Sequence, residues 1–319
     1  MHYAKIAGTG GYVPSQLLTN DDLARRVDTS DEWIMRRVGV KSRHVIGDSD
    51  ETVASMCLKA ATEALANAGL APDALDLILV ATASADHFFP SNACVLQHQI
   101  GVTRSIPAFD LNAACAGFIY ALSVADQYIK SGSCQHVLVV GVDRLSQLVD
   151  WSDRSTCILF GDGAGAVVLS SQLQPGILST DIQADGGHHG LLHCANGISN
   201  PHESTTIKMQ GNEVFKVAVT RLGEIVEQTL AKHNIPQSEL DWLIPHQANQ
   251  RIIAATARKL GLPLERVILT LETHGNTSAA SVPLALHDGV QQGKIQRGQL
   301  LLLEAFGAGL AWGSALVRY

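Results

Sequence analysis

The stretch Ile106-Pro-Ala-Phe-Asp-Leu111-Asn-Ala-Ala-Cys115-Ala-Gly-Phe-Ile-Tyr-Ala-Leu-Ser-Val-Ala-Asp-Gln-Tyr-Ile-Lys130 joins a β-like run, Ile106 to Leu111, to a long apolar segment of helical character. A strand that turns through small residues into a helix is the repeating step of a layered α/β protein. Cys115 sits at that turn, and therefore at a helix N-terminus. The unpaired N–H groups and partial positive charge of a helix end favour the thiolate, and the same backbone donors can hold an oxyanion. Such a place suits acyl transfer; a small buried cysteine packing strand against helix is the plainer alternative.

Moving outward, Asp241-Trp-Leu-Ile-Pro-His246-Gln-Ala-Asn249 reads as a short apolar strand ending in a histidine, followed by a helix from Gln250 to Leu260 closed by Gly261. Thr273-His-Gly-Asn276-Thr-Ser-Ala-Ala-Ser281 is a turn of small residues leading into another helix, with Pro283 near its start. Ligands of open α/β sheets collect beyond the carboxyl ends of strands, so Cys115, His246 and Asn276 on such turns can converge on one pocket.

Strand-like runs are expected at 75–81, 106–111, 136–141, 166–170, 240–244, 300–305 and 312–318, and helices over 31–38, 50–69 and 212–234. The order repeats. Asp76-Leu-Ile-Leu-Val-Ala resembles Asp241-Trp-Leu-Ile-Pro-His, and Gly163-Ala-Gly-Ala-Val-Val-Leu resembles Gly309-Leu-Ala-Trp-Gly-Ser-Ala-Leu. A duplicated α/β unit follows, with halves at residues 1–172 and 173–319 divided near Pro175-Gly176, and with Cys115 and Asn276 at equivalent positions.

At 319 residues and 46% hydrophobic content the chain can bury a large core. The N-terminal residues lack a basic region followed by an apolar stretch, and no apolar run approaches the ~18 residues of a membrane span, so a cytoplasmic location is expected. Six scattered cysteines show neither a disulfide framework nor paired metal-ligand spacing. A net charge of −7 argues against nucleic acid as partner and requires any acidic partner to find a local basic patch. Arg251, Arg258 and Lys259, on the helix after His246, are the candidate.

Seven segments together carry a resemblance along the whole chain: Thr29-Ser-Asp-Glu-Trp-Ile34, Asn112-Ala-Ala-Cys-Ala-Gly-Phe118, Phe160-Gly-Asp-Gly-Ala-Gly165, Met209-Gln-Gly-Asn-Glu-Val-Phe215, His246-Gln-Ala-Asn249, His274-Gly-Asn-Thr-Ser-Ala-Ala280 and Glu304-Ala-Phe-Gly-Ala-Gly309. The chain resembles the β-ketoacyl-acyl-carrier-protein synthase III family, the initiating condensing enzymes of bacterial type II fatty-acid synthesis. The resemblance implies a thiolase-like fold with α-β-α-β-α layers. It also implies a ping-pong, decarboxylating condensation of an acyl-coenzyme A primer, acetyl by expectation, with malonyl-acyl-carrier protein to give a 3-oxoacyl-acyl-carrier protein, coenzyme A and carbon dioxide.

In that resemblance Cys115 is the acylated nucleophile and His246 and Asn276 act on the malonyl group. The backbone N–H groups of Cys115 and Ala308 form an oxyanion hole, with Ala308 standing where many relatives carry glycine. Trp33 and Arg154 sandwich the adenine of coenzyme A and Arg37 meets its phosphates, while Thr29, Gly211, Phe215 and Asn249 complete the coenzyme A and pantetheine site. Phe306 lines the acyl pocket and Phe89 reaches into the pocket of the partner in a homodimer. Lys216, Arg251, Arg258 and Lys259 dock the carrier protein. No metal and no cofactor are implied, since both thioesters are substrates.

Rival readings fare worse. Biosynthetic thiolases use a second cysteine near the C-terminus, whereas none follows Cys194, and elongating synthases have a histidine where this chain has Asn276. Gly161-Asp-Gly-Ala-Gly165 is followed by a β-like run and not by the helix a dinucleotide needs. His188, His189, His193 and Cys194 match no metal-ligand spacing. A non-catalytic binding protein has no need of all three polar groups. Primer length stays open, because each methylene is worth only ~1–3 kcal/mol, and a condensing enzyme of secondary metabolism with another primer is the alternative.

Overall fold

Buried apolar runs alternate with capped helices to build two sheets, one from each half of the chain; the computed structural model describes residues 2–199 and 201–319. The first half contributes strands β1 (Tyr3–Tyr12), β2 (Gln16–Thr19), β3 (Ser42–Val45), β4 (Leu77–Ala81), β5 (Ala108–Leu111), β6 (His136–Arg144) and β7 (Asp162–Gln172). Its helices are α1 (Asn20–Ala24), α2 (Asp31–Val38), α3 (Val53–Ala68), α4 (Asn92–Gln99), α5 (Gly117–Lys130) and α6 (Arg154–Cys157). In the second half are β8 (Ile177–Ala184), β9 (Leu192–His193), β10 (Lys208–Met209), β11 (Trp242–Pro245), β12 (Leu300–Gly307) and β13 (Ala311–Arg318), with α7 (Gly211–Lys232), α8 (Gln250–Lys259), α9 (Leu271–His274) and α10 (Ser281–Gln291).

The main sheets run β1-β7-β6-β4-β5 and β11-β12-β13-β8, while β2 with β3 and β9 with β10 form small two-stranded antiparallel sheets. Every residue of β4 and of β12 is buried, which is why both read as unbroken apolar runs. One core joins Ile6, Leu79 and Val139 of the first sheet to Leu301, Leu303 and Val317 of the second through Phe118 and Leu122 of α5 and Ala285 and Leu286 of α10. A second core lies between α3, α4 and the outer face of the first sheet, and a third between α7, α8 and the outer face of the second. The layers are therefore helix, sheet, helix, sheet, helix.

Duplication is visible residue by residue. The order β4-β6-β7-β1 recurs as β11-β12-β13-β8, and a lone parallel bridge, Leu243 to Val267, stands where β5 pairs with β4. Asp76 accepts from the N–H groups of Gln135 and His136 at the start of β6, and Asp241 accepts from Leu300 N at the start of β12. Asn112 Oδ1 accepts from Ala114 N at 3.0 Å, and Asn276 Oδ1 accepts from Ser278 N at 2.9 Å. The partner of Asn276 under the duplication is thus Asn112, three residues before the nucleophile, and Cys115 matches Ala279. This corrects the expected equivalence of Cys115 and Asn276. With the first sheet complete at Gln172 and the second beginning at Ile177, we propose 1–172 and 173–319 as the two units.

The middle of strand β1, Ala7-Gly-Thr-Gly-Gly11, does not read as a strand in the sequence because Thr9 is its one strand-forming side chain among glycines and alanine. Its glycines let α3 lie directly on the strand: a Cβ at Gly8 would meet Ala64 O at 2.3 Å, and one at Gly10 would meet Ala60 O at 2.1 Å. Among the described residues, no helix is long and apolar enough to cross a membrane.

Candidate active site

β5 ends at Leu111 and the chain turns through a short 3₁₀ segment, Ala114–Ala116, before α5 begins at Gly117. Ala114 has φ 45°, a left-handed conformation rare outside glycine, and it puts Cys115 at the base of a cleft between the two halves. The end of β12 comes so near that a Cβ on Gly307 would lie 2.7 Å from Cys115 N, so glycine is required there. Ser278 Oγ donates to Cys115 Sγ at 3.3 Å. The helix end does not make this a resting thiolate, as its position suggested: burial pushes the thiol up to about 12, against the hydrogen bond from Ser278.

β11 delivers His246, whose N–H donates to Glu304 O at 2.8 Å. Gln247, fully buried, fixes the following bend: its amide donates to Pro245 O and Ile268 O and accepts from Thr270 N and Leu271 N. His246 Nδ1 lies 2.6 Å from Ser281 Oγ at the start of α10, and burial lowers the imidazole to about 3, so the ring is neutral at ordinary pH. Asn276 spends its Oδ1 on Ser278 N, which leaves the amide hydrogens as the groups it can offer. Its backbone is held by Leu159 O and Gly161 N, and Arg43, wholly buried, donates to the neighbouring Ile158 O at 2.8 Å.

Cys115, His246 and Asn276 line one cavity of about 520 Å³ together with Phe306 and Gly307. Gly211, Phe215 and Asn249 line its walls, and Trp33, Arg37 and Arg154 its mouth. Arg154 stacks over Trp33 at 4.9 Å and donates to Asp28 O, so a base can enter between the two only when they part. Asn249 uses Oδ1 to cap α8 at Arg251 N, leaving its amide nitrogen, 3.5 Å from Arg37 O. Arg36, which the sequence reading passed over, joins Trp33, Arg37 and Arg251 around a second hollow at the mouth. The spacing of Trp33, Arg36 and Arg37 on one helix was the available signal.

Other expected residues fall elsewhere. Thr29 does not line the cavity, and its Oγ1 is buried without a partner among the described residues. Ala308 stands just beyond the lining residues and is free of the positive φ that would strain an alanine. Phe89 is 86% exposed and Phe88 76% exposed, apart from the cavity of their own chain. Of the basic patch, Lys216 pairs with Glu213 and Lys259 with Glu227, whereas Arg251 lies over the Phe215 ring at the cavity rim. Arg258 is exposed two turns further along α8. Among the described residues no group of three or more His, Cys, Asp or Glu side chains is placed to hold a metal ion, the segment with His188, His189, His193 and Cys194 included.

Glu304 shares its face of β12 with Phe306, and its Oε2 is buried without a partner among the described residues. Burial raises its carboxyl from 4.5 to about 8. The unfolded chain gives up this proton above pH 4.5 and the folded chain keeps it to about 8, so stability falls as pH rises through that window. Glu304→Gln is therefore expected to melt higher than the unsubstituted protein at pH 8, by up to a few kcal/mol, with the gain vanishing near pH 4.5. Thermal melts across that range check it; a gain independent of pH removes the carboxyl's titration as the cause.

A buried cysteine, a neutral histidine and an amide donor on the facing turns of duplicated α/β halves define an acyltransferase of the thiolase fold. Residues 109–186 match the family model described as 3-Oxoacyl-[acyl-carrier-protein (ACP)] synthase III, and residues 230–319 match its C-terminal counterpart. The β-ketoacyl-[acyl-carrier-protein] synthase III of Coxiella burnetii (strain Dugway 5J108-111) is 57% identical over 318 residues, covering 100% of each chain. That of Methylococcus capsulatus is 59% identical over 320 residues, with 99% of each covered. Among solved structures, 3-oxoacyl-[acyl-carrier-protein] synthase III from Aquifex aeolicus VF5 superposes with a TM-score of 0.94 at 48% identity, over 99% of this chain and 100% of that one. The priming β-ketosynthase of the R1128 polyketide pathway also gives 0.94, at 36% identity over 99% of this chain and 96% of that one. The chain belongs to the 3-oxoacyl-acyl-carrier-protein synthase III family and is an acyltransferase, a condensing enzyme that initiates fatty-acid synthesis.

Proposed function

We propose that the chain joins an acetyl primer from acetyl-coenzyme A to malonyl-acyl-carrier protein by way of an acyl-Cys115 thioester. One observation carries the reading: Cys115, His246 and Asn276 share the floor of a cavity whose mouth bears Trp33, Arg37, Arg154 and Arg251. A flat indole and flat guanidinium suit a purine, and the arginines suit phosphates. The sulfur displaces coenzyme A, the carrier's pantetheine arm takes the vacated channel, and loss of carbon dioxide generates an enolate. We assign the Ser281 hydroxyl, 2.6 Å from Nδ1, as the donor of that bond, which puts the His246 proton on Nε2, the tautomer that can donate to the enolate beside the Asn276 amide. The carbanion attacks the acyl-cysteine, whose oxyanion takes the N–H groups of Cys115 and Ala308. We place the reaction in the cytoplasm and the enzyme in a homodimer, in which the exposed Phe89 reaches the partner's acyl pocket.

Intact-mass measurement after mixing with a panel of acyl-coenzyme A esters tests this. One acyl mass gained with the acetyl ester, and released on adding malonyl-carrier protein, is expected; uptake only of branched or longer esters would reassign the primer, and no uptake would end the reading.

The carrier is acidic on this reading and meets a chain of net charge −7, so attraction must be local. Lys216 and Lys259 are offset by Glu213 and Glu227, which leaves Arg251 and Arg258 as the charges of the patch with no carboxylate paired to them among the described residues. Arg251→Glu is expected to raise KM for malonyl-carrier protein on the order of tenfold or more, with a strong salt dependence, while acylation by coenzyme A esters changes far less. Equal loss with both substrates would make Arg251 part of the shared channel through Phe215.

A further inference from the structure

Acylation of Cys115 has to remove the thiol proton, and neither His246 nor Asn276 is placed to take it. The thiol is buried and protonated at rest, and His246 is committed to Ser281 at Nδ1 and to the malonyl group at Nε2. The hydroxyl of Ser278, itself 2% exposed, touches Sγ at 3.3 Å.

Behind Ser278 stands Asp143, wholly buried at the end of β6. Among the described residues its hydrogen bonds come only from neutral groups. Thr82 Oγ1 at 3.2 Å, Ala83 N at 2.8 Å and Ser84 Oγ at 2.8 Å reach Oδ1, and Ala279 N at 3.2 Å reaches Oδ2. Ser278, next in sequence to Ala279, is a neighbour of this carboxyl and lowers its affinity for a proton, against the burial that raises it. A buried carboxylate without a cation partner costs stability and calls for a use.

The duplication isolates the hydroxyl. Ala114 occupies the position equivalent to Ser278, with φ 45° against 53°, and both turns are closed by the preceding asparagine. The turn itself is made with alanine in the first half, so the serine oxygen is not needed for its geometry. Only the half facing the nucleophile carries it.

We propose that Ser278 and Asp143 remove the proton of Cys115 during acylation: the Ser278 hydroxyl, which at rest donates to Sγ, turns its proton to the Asp143 carboxylate, and Oγ takes the thiol proton as it passes its own to that carboxylate. The sulfur electron pair freed in this way forms the bond to the thioester carbonyl carbon. When the tetrahedral adduct collapses, the bond to the coenzyme A sulfur breaks and that sulfur keeps the pair. The proton on Asp143 returns through Ser278 to the departing sulfur, which leaves as a thiol and restores the carboxylate. No other reagent is required. The inference rests on Cys115 being the nucleophile.

Rapid-quench acylation of the full chain by acetyl-coenzyme A, followed by intact mass from pH 6 to about 9, tests it. With a carboxylate as base, the unsubstituted protein's rate should level off within this range, once the carboxyl has lost its proton. Ser278→Ala and Asp143→Asn should each acylate on the order of 10²-fold more slowly at pH 7, and their rates should climb about tenfold per pH unit, because each must wait for free thiolate. Condensation from Ser278→Ala enzyme loaded by long incubation should fall much less than its acylation. A wild-type rate in Ser278→Ala overturns the proposal, as does a slope of tenfold per pH unit in the unsubstituted protein. Loss in Ser278→Ala with full activity in a folded Asp143→Asn overturns the relay and leaves Ser278 as a simple donor to the thiolate. An adduct mapping to a different cysteine in the unsubstituted protein instead removes the reading of Cys115 on which all of this stands.

Discussion

Cys115→Ser is expected to take up no acyl group from acyl-coenzyme A at neutral pH, a complete loss as read by intact mass. Even the native thiol is held at about 12 by its burial, and a serine hydroxyl is far less acidic and a weaker nucleophile toward a thioester. The substitution is close in volume and preserves the turn set by Asn112 and Ala114, so the fold should survive. Five other cysteines provide the internal control. Cys57, Cys134 and Cys157 are buried, and burial raises their thiols, while Cys94 and Cys194 are exposed but lie outside the cavity. Peptide mapping that places an acyl group on any of these in the Cys115→Ser protein would show that the nucleophile lies elsewhere.

How much of this was legible from sequence depends on the scale of the interaction. Ser30 and Gly39 mark the ends of α2 because an N-cap hydroxyl and a left-handed C-terminal glycine are local devices: Ser30 Oγ accepts from Trp33 N, and Gly39 has φ 82°. β12 was legible because its residues are buried on both faces and so are apolar in succession. β1 was not, because the requirement it satisfies is close approach to α3, and glycine advertises that no more than it advertises a loop. The same holds within the site. Cys115, His246 and Asn276 were found because each ends a readable element, whereas Ser278 was only one small residue in a run of them. Its left-handed φ and its contact with a cysteine 163 positions away are tertiary facts. Asp143 likewise reads as the polar end of a strand until the second half folds over it. The acidity of Cys115 was misjudged for the same reason: the helix end is local and visible, while the desolvation that outweighs it comes from residues distant in sequence.

His246→Ala and Asn276→Ala are expected to separate the two half-reactions. Both variants should still load an acyl group on Cys115, because neither residue makes a hydrogen bond to its sulfur, which is touched by Ser278. Both should release carbon dioxide from malonyl-carrier protein on the order of 10²–10³-fold more slowly, the usual cost of losing one preorganised oxyanion donor. Asn276→Ala also removes the acceptor for Ser278 N, so part of its loss should spread to acylation; the smaller spread in His246→Ala then measures the pure enolate effect. Because burial holds the His246 imidazole at about 3, its neutral form persists through the working range, and the decarboxylation rate of the acylated enzyme should show no histidine step between pH 5 and about 8. Isotope-labelled carbon dioxide release from preloaded enzyme reads both quantities. Near-normal release by His246→Ala would take the imidazole out of the enolate site, and a sharp fall in the rate as pH drops below 6.5 would mean that the ring is protonated in the acyl enzyme and cannot be the neutral donor that its burial makes it.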